Sequence, residues 1–483
     1  MEKILGWNST KDLDLLLVNA PLKNYDITPR YNDFTLPVLG LGYIATYAAS
    51  KGFQVGLLDV EGLGIGFSEA GRLMREANPR WVGFNLLAPT YQHSVALMQE
   101  LDPETRILLG GHQAKAMPQR ILADTAIPRI DALVIGEAET RVAALLEDGN
   151  ARLRLPLVYW RDDQGHACQG FAKGSNPAWL SPDINGLPLV DRRFFAQDPT
   201  WVGGHWEANL VGSRGCPYDC SFCGAAVSAN PDVSIRTRSP ENILTEMNAL
   251  NAQFGVTAFR FVDDLFLASP PFMKRCLAAF EAADVGGRYV WDATGRINIM
   301  ARASADFLSA LKASGCREVA LGIESGSERV LKAIGKRITP QMILDAVVKC
   351  ASIGIHVKGY FILGFPDETR AEFNQTVALI EQLWAATDGL PGRFRCSVFE
   401  FRPYPGTPEW RRLVAGRRFS LEALLDYRQV DLTEAGALAT MLDRDEFNFS
   451  VNLPFGEVPP DELRRTLIRL TRAQKARLAT GAA

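Results

Sequence analysis

Two long stretches of this chain follow the same alternation, short apolar runs separated by segments with helical spacing, and that repeat admits few folds. In the first, apolar runs at 13–19 (LDLLLVN), 54–59, 81–86, 106–109 and 132–135 alternate with helical patterns at 37–52, 68–78, 91–101 and 118–123. In the second, runs at 208–213, 258–262, 289–294, 318–322, 356–362 and 395–401 alternate with helices expected at 240–254, 270–283, 304–314, 327–332, 340–353 and 369–386. Alternating strands and helices indicate parallel sheets with helices packed on their faces. The expected fold class is α/β. A doubly wound, Rossmann-like parallel sheet is expected over 1–150, a linker with short strands over 151–203, a partial (β/α)6 TIM-type barrel over 204–405, and a mainly helical region over 406–483. Within the linker, RLRLPLVYWRDDQGHACQG reads as a short hairpin and NPAWLSPDINGLPLVDRRFF as a surface connector.

Both architectures place ligands at the carboxyl ends of their strands, so those ends are where chemistry is sought. The first strand of the second stretch is followed by GCPYDCSFCG, which holds Cys216, Cys220 and Cys223, three of the eight cysteines. Three thiolates at this spacing on a tight loop suit one face of an iron–sulfur cube and leave the fourth iron without a cysteine. A zinc site would want a fourth ligand close by, and the nearest later histidine is His356. Disulfides pair off and need an oxidising compartment. Cys168, Cys276, Cys316, Cys350 and Cys396 are scattered singly and read as small buried side chains.

The other ends of the second stretch describe a ligand. Asp263 with Asp264 suits an ammonium, Arg296 a carboxylate, and Glu324 beside Ser325 two ribose hydroxyls. Ile362 and Gly364 form an apolar shelf for a purine. An amine, a carboxylate, a ribose and a purine together are S-adenosylmethionine. In the first stretch the strand ends carry Asn19, Asp59, Asn85, the Gly110-Gly111 pair before His112, and Gly136-Glu137, with glycines that let backbone approach a large ligand. A dinucleotide fingerprint is missing, since Asn-Ala-Pro follows the first strand.

A formal net charge of -3 gives no case for nucleic acid or an anionic membrane. There is no uncharged apolar run of membrane-spanning length and no signal-peptide pattern, so a cytoplasmic protein is expected. The basic segment PDELRRTLIRLTRAQKARLAT near the end reads as a helix with a solvated face, in a region assigned to substrate selection.

These features resemble a known family. CxxxCxxC with Phe222 before its last cysteine, then GIESGS and the GFP segment, resemble the radical S-adenosylmethionine superfamily over about 205–410. The segments Leu36-Pro37-Val38-Leu39-Gly40-Leu41 and Gly136-Glu137-Ala138-Glu139, over about 10–145, resemble the cobalamin-binding domain of its cobalamin-dependent class, as does PYPGTP at 403–408. The resemblance implies a 4Fe-4S cluster on Cys216, Cys220 and Cys223. It also implies S-adenosylmethionine contacts from Phe222, Asp263, Arg296, Glu324, Ser325, Ile362 and Gly364. Cobalamin would lie against Asn19, Leu39, Gly40, Asn85, Gly110, Gly111, Gly136 and Glu137. No D-x-H-x-x-G string occurs, so a cobalt without a protein histidine is expected; His93 and His112 are possible substitutes. The implied activity is methylation of an unactivated carbon, or less often phosphorus, of a small-molecule substrate through a 5′-deoxyadenosyl radical and methylcobalamin. A flavodoxin or ferredoxin would be the reductant. Non-methylating relatives (cyclases, ring contraction, oxidation) and a non-catalytic sensor of cluster or corrinoid are the alternatives.

Overall fold

The computed structural model describes residues 2–28, 37–170, 179–430 and 449–479. Leu36, residues 176–178 of the connector, 447–448 and Thr480 of the sequence segments above lie outside these. The chain divides into two compact units. One comprises Met1–Asp198 with Asn230–Ser234 and Tyr404–Gly406; the other comprises Pro199–Ala229, Ile235–Pro403 and Thr407–Ala483.

The first unit is built on strands β1 (Leu15–Asn19), β2 (Val55–Asp59), β3 (Trp81–Asn85), β4 (Arg106–Gly110), β5 (Ala132–Val134), β6 (Val158–Arg161) and β7 (Ala167–Gln169). Their order is β2-β1-β3-β4-β5-β6-β7; the first five run parallel, and β6 and β7 join antiparallel. Alternate residues of one strand serve two cores. Leu16 and Val18 pack with Leu73, Met74 and Met98 on one face, while Leu15 and Leu17 pack with Leu41, Ala45 and Leu145 on the other. Burial on both faces is why these strands read as unbroken apolar runs. The hairpin foreseen at 151–170 is therefore an extension of the sheet, and its inner residues Val158 and Trp160 are buried.

The second unit holds β8 (Thr200–Val202), β9 (His205–Leu210), β10 (Ser213–Arg214), β11 (Arg236–Thr237), β12 (Ala258–Phe261), β13 (Val290–Gly295), β14 (Cys316–Glu324), β15 (His356–Leu363) and β16 (Phe394–Glu400). Its main sheet runs β16-β15-β14-β13-β12-β9-β8. Six strands lie parallel in chain order, each feeding a helix, and they form a half-barrel; only β8 is antiparallel. The intervening helices start at side-chain caps. Ser239, Ser269, Thr339 and Thr407 each accept from a backbone N–H of the first turn and are followed by proline, whose missing N–H costs nothing at that position. Thr369 and Glu372 form a reciprocal capping box.

Helix Pro460–Ala479 has the expected solvated face and a buried one opposite it. It turns Leu463, Leu467, Leu470 and Gln474 inward. Gln474 Oε1 accepts from Cys396 N at 2.9 Å and Trp384 Nε1 at 3.0 Å, so the helix supplies an acceptor to the outermost strand, β16. Its charges are paired locally, Arg370 with Glu462 at 2.5 Å and Arg469 with Glu381 at 3.2 Å. Among the described residues no helix is long and apolar enough to cross a membrane.

Candidate active site

The cysteine loop leaves the end of β9 and is closed at its base by the β10–β11 ladder. Backbone bonds fold it from within: Cys223 N to Cys220 O at 3.1 Å and Val227 N to Tyr218 O at 3.0 Å. Ser221 N to Ile334 O at 3.0 Å and Glu409 N to Ser221 O at 2.8 Å tie it to neighbouring segments. Its shape is thus set by the chain itself. Burial pushes the Cys216 thiol up and the Cys223 thiol to about 12, so ligand-free the loop holds thiols, and only a bound metal's charge would draw out the thiolates. Among the described residues no three His, Cys, Asp or Glu groups are placed to share one metal ion. A four-iron cube asks for something else, one iron per cysteine, and three cysteines on a self-folded loop fit that demand. The scattered Cys276, Cys316, Cys350 and Cys396 are buried and Cys168 is half-buried; none is in a disulfide.

Around the loop, the structure sorts the strand-end groups. Asp263 is 5% exposed and both its oxygens are engaged, Oδ2 by Gly212 N at 3.0 Å and Oδ1 by Ser213 Oγ at 2.5 Å. Burial lifts its pKa to about 6. Asp263 therefore anchors the start of the cysteine loop through Gly212 and Ser213. Asp264 is exposed, and its charge acts on both Cys216 and Cys223. Successive residues at a strand end face opposite ways, so one step along the chain exchanges a structural carboxylate for an exposed one.

Arg296 is turned to the loop. Its Nη1 lies 3.6 Å from Cys220 Sγ, its Nη2 donates to Lys336 O at 2.7 Å, and its guanidinium carbon sits 3.6 Å from the centre of the Tyr218 ring. Glu324 has a left-handed backbone, φ 70°, a strain of about 1–3 kcal/mol for a residue with a side chain. Its Oε1 accepts from Lys336 Nζ at 2.6 Å. A Cβ on Gly322 would lie 2.4 Å from Glu324 Oε1 and 2.5 Å from Lys336 Nζ, so this pair requires the glycine. Ser325 is fully buried, its hydroxyl shared with Thr376 Oγ1 at 3.1 Å and Ser327 N at 3.1 Å, and it shapes the turn. Gly364, φ 80°, donates its N–H to Glu368 Oε2 at 2.8 Å, which sets Phe365 edge-on to Phe222 with ring centres 5.5 Å apart. Ile362 is half-buried on β15. Burial raises Glu368 to about 7. Lys336, Tyr218 and Glu368 escape sequence reasoning, because each acts through a partner distant in the chain.

In the first unit, the strand order reverses between β2-β1 and β3-β4, and a crevice is expected at such a switch point. Asn19 and Asn85 close β1 and β3 there. Asn19 Nδ2 donates to Asp59 Oδ1 at 2.7 Å. Gly111, φ 93°, has Asn85 Oδ1 2.3 Å from where a Cβ would stand, so the protein itself requires glycine at that position. Gly110 and Gly40 are different. A Cβ on Gly110 would meet only Val134 O at 3.6 Å, and one on Gly40, which follows half-buried Leu39, would meet nothing within 4 Å. The Gly136-Glu137 turn is held by Arg141, fully buried, which donates to Ile135 O at 2.8 Å, Glu137 O at 2.6 Å and Pro156 O at 2.9 Å. His93 spends Nδ1 on Pro21 O at 2.7 Å. Among the described residues, Gly40 and Gly110 thus have space beside them, which fits a large flat ligand.

Comparison with known proteins agrees with this division. Residues 210–380 match the Radical SAM superfamily and residues 32–146 the B12 binding domain. An uncharacterized methyltransferase of Pyrococcus horikoshii is 28% identical over 413 residues, covering 84% of each chain. The cytidylyl-2-hydroxyethylphosphonate methyltransferase of Streptomyces wedmorensis is 28% identical over 402 residues, 73% of this chain and 72% of its own. Among solved structures, the radical S-adenosylmethionine methyltransferase TsrM of Kitasatospora setae, with cobalamin and a [4Fe-4S] cluster bound, shares the fold with a TM-score of 0.62 at 19% identity, covering 87% of this chain and 77% of that one. With a B12-binding domain ahead of a radical SAM domain and a three-cysteine loop inside the latter, the chain belongs to the cobalamin-dependent radical S-adenosylmethionine enzymes, and its cofactors are a 4Fe-4S cluster, S-adenosylmethionine and cobalamin.

Proposed function

We propose that this enzyme is a methyltransferase acting on an unactivated carbon, or less often phosphorus, of a small-molecule substrate. The observation that carries the reading is the self-folded loop of Cys216, Cys220 and Cys223 at the carboxyl ends of a half-barrel, in a chain whose relatives over 84% and 73% of its length are named methyltransferases, beside cyclases over 70%. When bound, the cluster and S-adenosylmethionine supply a 5′-deoxyadenosyl radical, and cobalamin supplies the methyl group.

The chain's own residues do the holding. Cys216, Cys220 and Cys223 ligate the cluster, and Asp264 receives the methionine ammonium. Glu324, oriented by Lys336, accepts from the ribose hydroxyls. Ile362, Gly364 and the Phe365–Phe222 pair make the apolar wall for the adenine. Asp263 keeps the entry to the loop in place through Gly212 and Ser213. Asn19, Leu39, Gly40, Asn85, Gly110, Gly111, Gly136 and Glu137 line the corrinoid site. The cobalt is read as lacking a protein histidine because no D-x-H-x-x-G string occurs. A reduced flavodoxin or ferredoxin supplies the electron, which suits a cytoplasmic setting where cysteines stay free.

The test is product analysis on the anaerobically reconstituted, corrinoid-loaded enzyme with candidate substrates. Methyl transfer yields S-adenosylhomocysteine together with 5′-deoxyadenosine. If turnover yields 5′-deoxyadenosine alone, methyl transfer is excluded and a cyclising or oxidising reaction replaces it.

A further inference from the structure

Arg296 carries a charge that the surrounding protein does not neutralise. It is 5% exposed, and its polar contacts are a carbonyl, Lys336 O, and a sulfur, Cys220 Sγ, with the Tyr218 ring against its flat face. Its Nε is buried without a partner. Among the described residues it makes no ion pair with a carboxylate; Lys336, not Arg296, holds Glu324. A guanidinium cannot shed its proton, and burying one without a counter-ion is costly. The protein nonetheless fixes this one in place with an aromatic face and a carbonyl. Such a site is built for an anion that arrives with a cofactor, and the atom nearest to supply it is the sulfur of Cys220.

We propose that Arg296 tunes the cluster, donating an N–H to the Cys220 sulfur and placing a permanent cation beside it, so that the one-electron reduced form is favoured. Reduction adds negative charge to a site already bearing three thiolates. An N–H···S bond and a neighbouring cation offset that charge, and both raise a cluster's potential. Lys336 links the two halves of the site, since its carbonyl orients Arg296 and its ammonium orients Glu324. The inference rests on the cluster being held by Cys216, Cys220 and Cys223. It makes Arg296 a positioning residue and removes it from the S-adenosylmethionine carboxylate.

The experiment is a redox titration of the reconstituted full chain, followed by electron paramagnetic resonance without S-adenosylmethionine. Arg296→Gln should keep its iron and sulfide content but titrate at a more negative potential. At the parent midpoint its reduced-to-oxidised ratio should fall about tenfold, equivalent to about 59 mV for a one-electron couple. Arg296→Lys, which keeps the charge and loses the fork, should shift less. An unchanged midpoint in Arg296→Gln together with weaker S-adenosylmethionine binding overturns the proposal and makes Arg296 a carboxylate anchor. Should Arg296→Gln fail to take up iron, Tyr218→Leu decides, since it removes the ring that holds the guanidinium: a more negative midpoint supports the proposal and an unchanged one overturns it. A parent protein that takes up no cluster defeats the underlying assignment instead, and does so before any variant is made.

Discussion

Glu368 shows how a single buried carboxyl can set both a turn and a pH dependence. One oxygen holds Gly364 N, the other is buried without a partner, and burial raises the group from 4.5 to about 7. Between those values the folded state binds more protons than the unfolded one. The contribution of Glu368 is therefore most favourable below about pH 4.5 and is lost as pH rises towards 7, on the order of 3 kcal/mol at 1.36 kcal/mol per unit. Glu368→Gln should flatten the dependence of unfolding free energy on pH between 5 and 8, measured by urea titration; an unaltered slope would show that the group does not titrate in this range. The two neighbouring aspartates separate by function. Asp264→Asn should weaken S-adenosylmethionine binding about tenfold, the worth of one charge-assisted hydrogen bond, with iron content unchanged in equilibrium dialysis and iron assay. Asp263→Asn should instead lower iron retention, because it loosens Gly212 and Ser213 at the loop's entry. The pair itself was legible in the sequence. Which member faces outward was not, because that depends on where β12 ends.

At the scale of elements, apolar runs and helical spacing in the sequence forecast most helices and strands to within a few residues. Long-range contacts decided the rest. The hairpin at 152–170 was legible as a pair of short strands but not its place; pairing with β5 gives Val158 and Trp160 a buried face. Helix Pro460–Ala479 has the solvated face read from its sequence, while its leucines recur on the other side and meet the second unit's core. Gln474 is its key contact. Gln474→Leu leaves Cys396 N and Trp384 Nε1 buried without their acceptor and should cost about 2–4 kcal/mol in denaturant unfolding, from two unsatisfied donors. A loss below about 0.5 kcal/mol would mean that water reaches both groups.

For the molecule as a whole, each unit is organised around the ends of its own sheet, and a ligand that binds only the folded form adds stability by mass action. Hydroxocobalamin at about 100 times its dissociation constant should add about 2.7 kcal/mol, seen as a rise in melting temperature. Gly40→Phe should leave the melting temperature of the free protein nearly unchanged, since among the described residues nothing outside its own helix lies within 4 Å of a Cβ there, and should abolish the rise. A rise that survives this substitution would place the corrinoid elsewhere. By itself the sequence determined the two parallel sheets, through apolar runs long enough for double burial, and the cysteine loop, through a spacing only a few residues long. Both are local signals. Tertiary structure alone decided that Arg296 meets Cys220, that Lys336 meets Glu324, and that Asn230–Ser234 and Tyr404–Gly406 group with the first unit. These pairings join residues 12 to 76 positions apart or segments from distant parts of the chain, and they depend on how many strands and helices stack between them, which no local pattern records.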